Sequence, residues 1–388
     1  MPYLDWNATA PPLPAVLDAM RAAGERDWGN PSSIHARGRE ARGFVEDARE
    51  AVGALTGRDP RDVTFTGGGT EANNLAIRSA FEAEEGSGGS GASGASGASQ
   101  GAPPILVTSR LEHPSVAKVA EALEREGKAC VVWVSVCEDG RLDLDAFARA
   151  LESPEVRLVA VQAVNGETGV VQPLAEVLAI VGRHPKNPRV HVDAIQAWGK
   201  IADLAVLGQA DTVSVAAHKF RGPKSIGALV ARPGVRVRPV LVGGSQERGL
   251  RPGTVDPIGA AGLAVAARHA LGSPARYAPL AALRDRLEAG VVALGAVRVG
   301  TGPRVPHVAN ISFPGWIGAE LVAALDLEGL CVSSGSACSA GTVEPSVVVS
   351  AMLGPKVATS CVRFSMGEDT TPADVDDALA AVTRVLRR

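Results

Sequence analysis

Short apolar runs alternate with helical stretches through the first half of the chain. VTFT (63–66), PILVTS (104–109) and RLVAVQAV (157–164) each precede a stretch whose apolar residues have helical spacing, and VHVDA (190–194) and DTVSVAA (211–217) follow. Short apolar strands separated by helices predict an α/β unit with a mainly parallel sheet. Because such sheets bind ligands beyond the carboxyl ends of their strands, we expect a site in the loops that follow these runs.

The pattern changes near residue 258, where two helical stretches, the strand-like HVANISF and a last helix, PADVDDALAAVTRVLR, follow one another. This order predicts a large domain over 15–257 and a smaller α+β domain formed by 1–14 and 258–388. The Gly/Ser/Ala-rich stretch 84–104 cannot bury enough surface to offset its ordering entropy. It is predicted to be a disordered surface insert within the large domain, with a linker between domains as the alternative.

Composition narrows the class of protein. A chain of 388 residues exceeds the roughly 250–300 residues at which single cores stop growing, which agrees with two domains. No apolar run reaches the about 18 residues of a membrane span, so none is predicted. A net charge of -3 argues against electrostatic binding of nucleic acid. The five cysteines form neither a CxxC pair nor a disulfide framework, no metal site is predicted, and no secretory signal is visible, so a cytoplasmic protein is expected.

A glycine-rich turn follows the first strand. GGGTEANN places Gly69 and Thr70 at the mouth of a helix, where backbone N–H groups and the helix dipole attract an anion such as phosphate. The GK[ST] ending of a nucleotide P-loop is missing. Taken alone, the glycines also fit an ordinary tight turn.

Polar residues follow the other strands too. They are His113, Asn165, Asp193 with Gln196, and the pair His218 and Lys219. Each fits turn chemistry or a solvated charge, but together they would gather a phosphate site, a histidine, an acid and a lysine in one crevice. A pyridoxal phosphate enzyme needs this inventory, with the lysine as Schiff base and the acid beside the pyridine nitrogen. Of the two candidate lysines, Lys219 is favoured over Lys224 because it follows its strand directly.

A single thiol stands in SSGSACSAG (333–341), among residues that offer little to bury. Gly335 and Gly341 add backbone freedom, so Cys338 reads as a reachable, reactive thiol. A half-buried cysteine acting as a small hydrophobe is the other reading, and this stretch alone leaves both open.

Ordered motifs over nearly the whole chain carry a resemblance. They are YLDWNATA, GNPSSIHARGRE, FTGGGTEANNLAI, LEHPSV, NGETGVVQPL, VDAIQAWGK, AAHKFRGPKSIGAL, GGSQERGLRPGT, SSGSACSAGTVEPS and VRFSMG. In these the sequence resembles the cysteine desulfurases of the NifS/IscS type, in the aminotransferase class V group. The resemblance implies the pyridoxal phosphate-dependent transferase fold of type I, with a seven-stranded type of sheet in the large domain.

The resemblance also implies roles for the ring-binding residues. Lys219 would form the Schiff base, and His113 would stack on the cofactor ring and assist proton transfer. Asp193 would pair with the pyridine nitrogen, while Gln196 and Asn165 would hydrogen-bond the phenolic oxygen.

Phosphate binding and dimerisation are implied in the same way. The Gly69 backbone, Thr70 and His218 would hold the phosphate. Thr254 would reach the phosphate of a partner subunit, so a homodimer is implied.

For the substrate, the resemblance implies L-cysteine. Arg363 would bind its carboxylate through a two-pronged set of donors, and Asn165 and Asn30, the latter in GNPSSIH, would also line the substrate site. Cys338 would attack the substrate sulfur as a thiolate, become a persulfide, release alanine and pass the sulfur to an acceptor such as an iron–sulfur scaffold or a tRNA-thiolation enzyme. The alternatives are a selenocysteine lyase, an aminotransferase, and an inactive scaffold that binds a sulfur carrier.

Four positions depart from the common pattern of that family. Ala216 stands where a serine commonly donates to the phosphate, so the phosphate cradle is expected to be one donor short. Trp6 replaces a small or polar residue, Gly166 a frequent asparagine and Pro252 a frequent serine. None of these changes removes a catalytic group.

Overall fold

The computed structural model describes residues 1–82, 103–335 and 345–387. Most of the predicted insert 84–104 lies outside the described residues, as does Cys338. The helix before the insert and the strand after it both belong to the layers of the large sheet. The insert therefore connects two elements that pack in the layers of one sheet, and its assignment as an insertion within a domain stays a prediction.

A seven-stranded sheet forms the centre of the larger unit, in the order β1-β7-β6-β5-β4-β2-β3. The strands are β1 (Val63–Thr66), β2 (Ile105–Ser109), β3 (Cys130–Val134), β4 (Val156–Gln162), β5 (Arg189–Asp193), β6 (Thr212–Ala216) and β7 (Gly227–Ala231). β7 runs antiparallel to both of its neighbours, and the other pairings are parallel. The predicted mainly parallel sheet is confirmed.

Helices cover both faces of this sheet. They are α1 (Pro14–Arg26), α2 (Ala36–Thr56), α3 (Gly69–Phe81), α4 (Pro114–Arg125), α5 (Leu144–Ala150), α6 (Leu174–Val181) and α7 (Pro257–Tyr277). Alternation along β4 shows the two faces: Val159 and Val161 join the core beneath α1, α2 and α7, while Leu158 and Ala160 join the core beneath α3 and α4. Successive strand side chains point to opposite faces, so a strand buried on both faces is apolar throughout.

The smaller unit is built on a three-stranded antiparallel sheet in the order β10-β9-β8. Its elements are α8 (Leu280–Val292), β8 (Val297–Val299), β9 (Val308–Ser312), α9 (Gly318–Leu327), α10 (Val347–Leu353), α11 (Pro355–Thr359), β10 (Cys361–Ser365) and α12 (Pro372–Leu386). The division at 257/258 stays a prediction. Buried residues of α7 from Ala260 to Ala270 pack in the larger core. Tyr277, the last residue of α7, packs in the smaller core, so most of this helix belongs with the larger unit.

The N-terminal segment connects the two cores. Tyr3 bridges to Cys331 and Asp5 to Ser365, both in parallel pairing, and Leu4 is buried in the smaller core. A few residues later the chain reaches the larger unit, where the Ala10 N–H donates to the His218 carbonyl over 2.9 Å. The segment between these contacts therefore passes directly beside Lys219.

Trp6, which departs from the family pattern, lies in this segment and is 4% exposed. Its ring occupies the space beside Gly367, where a Cβ would lie 1.9 Å from Trp6 Cδ2. The Arg221 guanidinium lies 5.3 Å from the ring centroid on a cation–π contact. A large side chain at position 6 is accommodated because residue 367 has none.

Among the described helices, none combines the length and the apolar character needed to cross a bilayer.

Candidate active site

A cavity of about 240 Å³ lies at the carboxyl ends of the central strands. Eight residues predicted to bind the cofactor line it: Gly69, Thr70, His113, Asn165, Asp193, Gln196, His218 and Lys219. Arg363, predicted to bind the substrate, lines it as well. The loops after β1, β2, β4, β5 and β6 converge here, as expected for a sheet of this kind. Lys224 is exposed and does not line the cavity, which favours Lys219 as the lysine of the site.

Asp193 is the last residue of β5 and is 6% exposed. Its Oδ2 accepts a hydrogen bond from Asn73 Nδ2 at 2.8 Å. Its Oδ1 accepts from the Ile195 N–H at 3.1 Å and from Ser214 Oγ at 3.4 Å. A carboxylate that accepts from three donors is held in one orientation.

Asn73 belongs to α3 and is fully buried. Its Nδ2 donates to Asp193 and also to Ser115 Oγ, both at 2.8 Å. Its Oδ1 lies 3.0 Å from His191 Nε2, and His191 Nδ1 lies 3.0 Å from Thr212 Oγ1. Burial lowers the pKa of His191 to about 4, so this ring is neutral at pH 7. A chain of neutral partners therefore supports the one charged group, Asp193.

His113 caps the N-terminus of α4 through its ring. The Ser115 N–H donates to His113 Nδ1 at 3.1 Å, and Ser115 Oγ lies 2.8 Å from the same nitrogen. Because the Ser115 hydroxyl accepts from Asn73, its own hydrogen is available for Nδ1. Burial lowers the pKa of His113. The neutral ring therefore carries its proton on Nε2.

Lys219 ends a short 3₁₀ turn that follows β6. Its Nζ donates to two backbone carbonyls of the N-terminal segment, that of Asn7 at 2.6 Å and that of Ala8 at 2.9 Å. The neighbouring His218 Nδ1 lies 3.2 Å from Thr9 Oγ1. Burial, together with the charge of Lys219, lowers the pKa of His218 to about 4, so this ring too is neutral at pH 7.

The side-chain amide of Gln196 is oriented by a lysine. Lys200 Nζ donates to Gln196 Oε1 at 2.5 Å, and Gln196 Nε2 donates to the Asn7 carbonyl at 3.0 Å. Because a backbone carbonyl can only accept, the amide nitrogen must lie on the side of the Asn7 carbonyl. Lys200 is 4% exposed, and burial holds its pKa well below the usual value.

Asn165 is fixed by the turn that it begins. Its Oδ1 accepts from the backbone N–H groups of Glu167 and Thr168, and its Nδ2 donates to the Leu111 carbonyl at 3.0 Å. An amide nitrogen has two hydrogens, and one of them makes the bond to Leu111. Both predicted amides, Asn165 and Gln196, therefore present their nitrogens at the cavity wall.

Arg363 is the guanidinium of the site. Its Nη2 lies 2.7 Å from Asp5 Oδ1, and its Nη1 donates to the Gly166 carbonyl at 3.1 Å. The side chain is buried, and within the described part of the chain its Nε has no hydrogen-bond partner. A guanidinium has five N–H groups, and the bonds to Asp5 and Gly166 use two of them, so this arginine has donors left for a further acceptor, such as the carboxylate of an amino acid.

Two buried carboxyls also line the cavity. Burial and the charge of Asp193 hold the pKa of Glu112 well above its usual value. Burial likewise raises the pKa of Glu167, whose Oε2 accepts from Ser346 Oγ at 2.5 Å.

The first turn of α3 forms the end of the cavity suited to an anion. Gly69 begins the helix, and a Cβ there would lie 2.1 Å from Ile195 Cδ1. The absence of a side chain lets the helix terminus approach the loop after β5, with its backbone donors beside Thr70. Ala216 also lines the cavity and offers no donor. Its effect on affinity stays a prediction.

Two predicted residues of the described ranges, Asn30 and Thr254, do not line the cavity. Asn30 is exposed, and its Oδ1 accepts from the Ser32 N–H at 2.9 Å within its own turn. Thr254 is exposed, and it was expected to act in a partner subunit. Cys338 lies outside the described residues. The roles of Asn30, Thr254 and Cys338 stay predictions.

Sequence reasoning missed several buried residues that orient the site. The sequence motifs contain Asn7, Asn73 and Lys200, but the pattern assigns none of these residues a role. Asn7 is 2% exposed and receives both Lys219 and Gln196 on its backbone carbonyl. The available signal for the side chains was a polar residue within an otherwise apolar stretch, and nothing in the pattern marks a backbone carbonyl as an acceptor.

Comparison with known proteins decides the family. Residues 2–378 match the family described as aminotransferase class V. The chain belongs to this family. A class V relative, a cysteine desulfurase of Cereibacter sphaeroides, is 39% identical over 389 residues, which cover 99% of this chain and 95% of that protein.

Solved structures of similar proteins agree with the class V fold. A NifS-like protein superposes with a TM-score of 0.88 at 31% identity, with 100% of both chains covered. A structure titled "SspA in complex with cysteine" superposes with a TM-score of 0.77 at 26% identity, covering 96% of this chain and 100% of that one. The fold is the type I architecture of pyridoxal phosphate enzymes, as the sequence predicted.

Proposed function

We propose that this class V protein is a pyridoxal phosphate-dependent cysteine desulfurase, which converts L-cysteine to L-alanine and passes the sulfur on as a persulfide of Cys338. The observation that carries the proposal is the convergence of Lys219, Asp193 and His113 on one cavity. This convergence occurs in a chain 39% identical over 99% of its length to a cysteine desulfurase. A lysine, an acid and an aromatic ring are the groups through which proteins hold and tune this cofactor.

The groups around the cavity fit the cofactor. Lys219 would hold the aldehyde carbon, and the ionised Asp193 would pair with the pyridine nitrogen. Gly69 and Thr70, at the start of α3, would receive the phosphate, with His218 beside them. When bound, the cofactor supplies a protonated ring that draws in the electrons released when a bond at the substrate Cα breaks.

Arg363 supports an amino acid as the substrate. Its guanidinium lies in the cavity wall, is held by Asp5 and the Gly166 carbonyl, and has further N–H groups for a substrate acceptor. A substrate carboxylate fits the fork of donors that a guanidinium provides. L-cysteine is the specific amino acid proposed, on the basis of the cysteine desulfurase relatives and of the cysteine bound to the structurally similar SspA.

The flanks of the segment that carries Cys338 support its role. Before the segment, the Arg363 N–H donates to the Ser333 carbonyl at 2.7 Å. After it, Ser346 Oγ donates to Glu167 Oε2. Arg363 and Glu167 both line the cavity, so the residues on either side of the segment that carries Cys338 lie beside the site.

The sulfur-transfer step forms one bond to sulfur and breaks another. The Cys338 thiolate attacks the substrate sulfur, and a sulfur–sulfur bond forms as the carbon–sulfur bond breaks. The carbon takes the electron pair and a proton, and the product leaves as alanine. Lys219 Nζ and His113 Nε2 are the groups proposed to hold and move the protons.

A homodimer is part of the proposal. Thr254 is exposed and lies outside the cavity of its own chain, as a residue that serves a partner subunit would. The surface also exposes large apolar side chains in two stretches, at Val240–Val242 and at Trp28 with Ile34. Exposed apolar surface of this kind marks interaction sites.

An acceptor protein and a reducing compartment complete the proposal. The four cysteines of the described ranges are free thiols, which supports a cytoplasmic setting. The acceptor would belong to iron–sulfur cluster assembly or to a thiolation system. A selenocysteine lyase and an aminotransferase are the alternative reactions on the same cofactor, and an inactive carrier-binding scaffold is the alternative without catalysis.

Product analysis tests the reaction. Sulfide and alanine are measured from L-cysteine with a reductant present, for the wild type and for Cys338→Ala, with Cys331→Ala as the matched control that removes a thiol seven positions away. We expect equal amounts of both products from the wild type and the control, and neither from Cys338→Ala. Equal product formation by Cys338→Ala would remove the persulfide step. Turnover of selenocysteine alone would favour the lyase, and keto-acid formation would favour the aminotransferase.

A further inference from the structure

Asn7 is held from both units of the molecule. Its backbone N–H donates to Ser365 Oγ at 3.0 Å, and its Nδ2 donates to the Gly166 carbonyl at 3.0 Å. Its Oδ1 lies 3.0 Å from His307 Nε2. The Gly166 carbonyl can only accept, so the amide oxygen must face His307, and His307 Nε2 must be the donor. The orientation of residue 7 is therefore fixed at three points.

The backbone carbonyl of Asn7 faces the site. It accepts from Lys219 Nζ at 2.6 Å and from Gln196 Nε2 at 3.0 Å, and the next carbonyl, that of Ala8, accepts from Lys219 Nζ at 2.9 Å. Hydrogen bonds from an ammonium to carbonyl oxygens are stronger than those from a neutral amine, so these two carbonyls favour the charged form of the lysine.

We propose that Asn7 is a positioning residue that sets the charge state of Lys219. It holds its own backbone carbonyl and that of Ala8 in place, and these two carbonyls, called the dock below, bind the amine as an ammonium whenever the cofactor or substrate releases it. This inference rests on the proposed function, in which Lys219 carries the cofactor. Only the neutral amine can attack the cofactor aldehyde, so the dock sets the pH at which the lysine becomes reactive.

Electrostatic interactions join Lys219 to His113 at the start of α4, to Lys200 after β5 and to His218 beside it. Further charged or titratable groups line the same cavity: Asp193 at the end of β5, Arg363 on β10, and the buried Glu112 and Glu167. All of them remain in a variant at position 7. A change of reactivity in that variant therefore reports on the dock.

The test measures capture of the cofactor by the full-length chain after the cofactor has been removed. Pyridoxal phosphate is added over a series of pH values, the product is reduced with borohydride, and the labelled Lys219 peptide is quantified by mass spectrometry. In Asn7→Ala the carbonyls lose two of their three clamps. We expect the midpoint of capture to fall by at least 0.5 pH unit, which is about a threefold faster capture below the midpoint.

Asn310→Ala is the matched control. Asn310 is also a fully buried amide, and its Nδ2 donates to the Glu167 carbonyl, one residue along from the Gly166 carbonyl that Asn7 binds. It is expected to keep the wild-type midpoint. If Asn7→Ala does not fold, Ser365→Ala removes the acceptor of the Asn7 N–H and is expected to shift the midpoint in the same direction.

The outcomes separate the two proposals. Label on Lys219 with the same midpoint in the wild type and in the clamp variant would overturn the dock alone, as would an equal shift in Asn310→Ala. Label on another lysine of the wild type would overturn the proposed role of Lys219 and the dock with it.

Discussion

Acidification tests the buried support beneath Asp193. Burial lowers the pKa of His191 from 6.5 to about 4, so between these values the unfolded chain binds a proton that the folded chain does not. The stability that neutral His191 contributes is therefore complete above pH 6.5 and is lost as the pH falls towards 4. At pH 5 the loss is about 2 kcal/mol for this one ring. The ring is fully buried, so solvent does not screen the effect.

His191→Gln isolates this loss, because glutamine keeps a donor for Asn73 and has no ionisation. Apparent unfolding free energies are measured in urea at pH 7 and pH 5, at equal cofactor loading, from the fluorescence of Trp198, which is buried in the larger core. The fall between the two pH values should be about 2 kcal/mol smaller in His191→Gln than in the wild type. The exposed His35→Gln is the control and should keep the full loss. Equal losses in the wild type and His191→Gln would refute the reasoning.

Three further predictions concern the site itself. Lys219→Ala should lose the visible absorption band of the bound cofactor, and a band that persisted would place the linkage on another lysine. Arg363→Lys should keep the charge but lose the two-pronged geometry. Because a charged hydrogen bond contributes about 1.5–3 kcal/mol, we expect KM for L-cysteine to rise by about tenfold or more while the cofactor spectrum is retained. An unchanged KM would show that Arg363 does not bind the substrate. Gly69→Ala should push Ile195 towards the cavity and raise the Kd of the cofactor roughly tenfold, as measured by equilibrium dialysis. Unchanged cofactor binding would show that Ile195 moves away without reaching the site.

The sheet was largely predictable, because strands buried on both faces are apolar without interruption. β3 was missed although CVVWV is apolar throughout, because it follows α4 after a turn of only a few residues and was not separated from it. The order of the strands could not come from the pattern, since pairing between distant strands leaves no local mark. The antiparallel β7 in a mostly parallel sheet is such a feature.

The cavity was predictable where its residues follow strands, as with Asp193 and Lys219. The buried residues that orient the side chains of the cavity were not predictable. Asn73 lies inside a helix, where an asparagine also fits a solvated face, and Lys200 reads as an ordinary surface lysine. Burial of these two residues is a consequence of tertiary packing, and only the structure shows it.

The passage of the N-terminal segment between the two cores has a consequence for synthesis. The Asn7 N–H binds Ser365 Oγ, 358 positions later, so residue 7 leaves the ribosome well before its partner has been synthesised. At about 5–20 residues per second, this interval is roughly 20–70 s. A nascent or prematurely terminated chain that lacks β10 has a lysine but no clamped wall beside it. The pocket wall beside Lys219 is therefore assembled only after β10 has been synthesised.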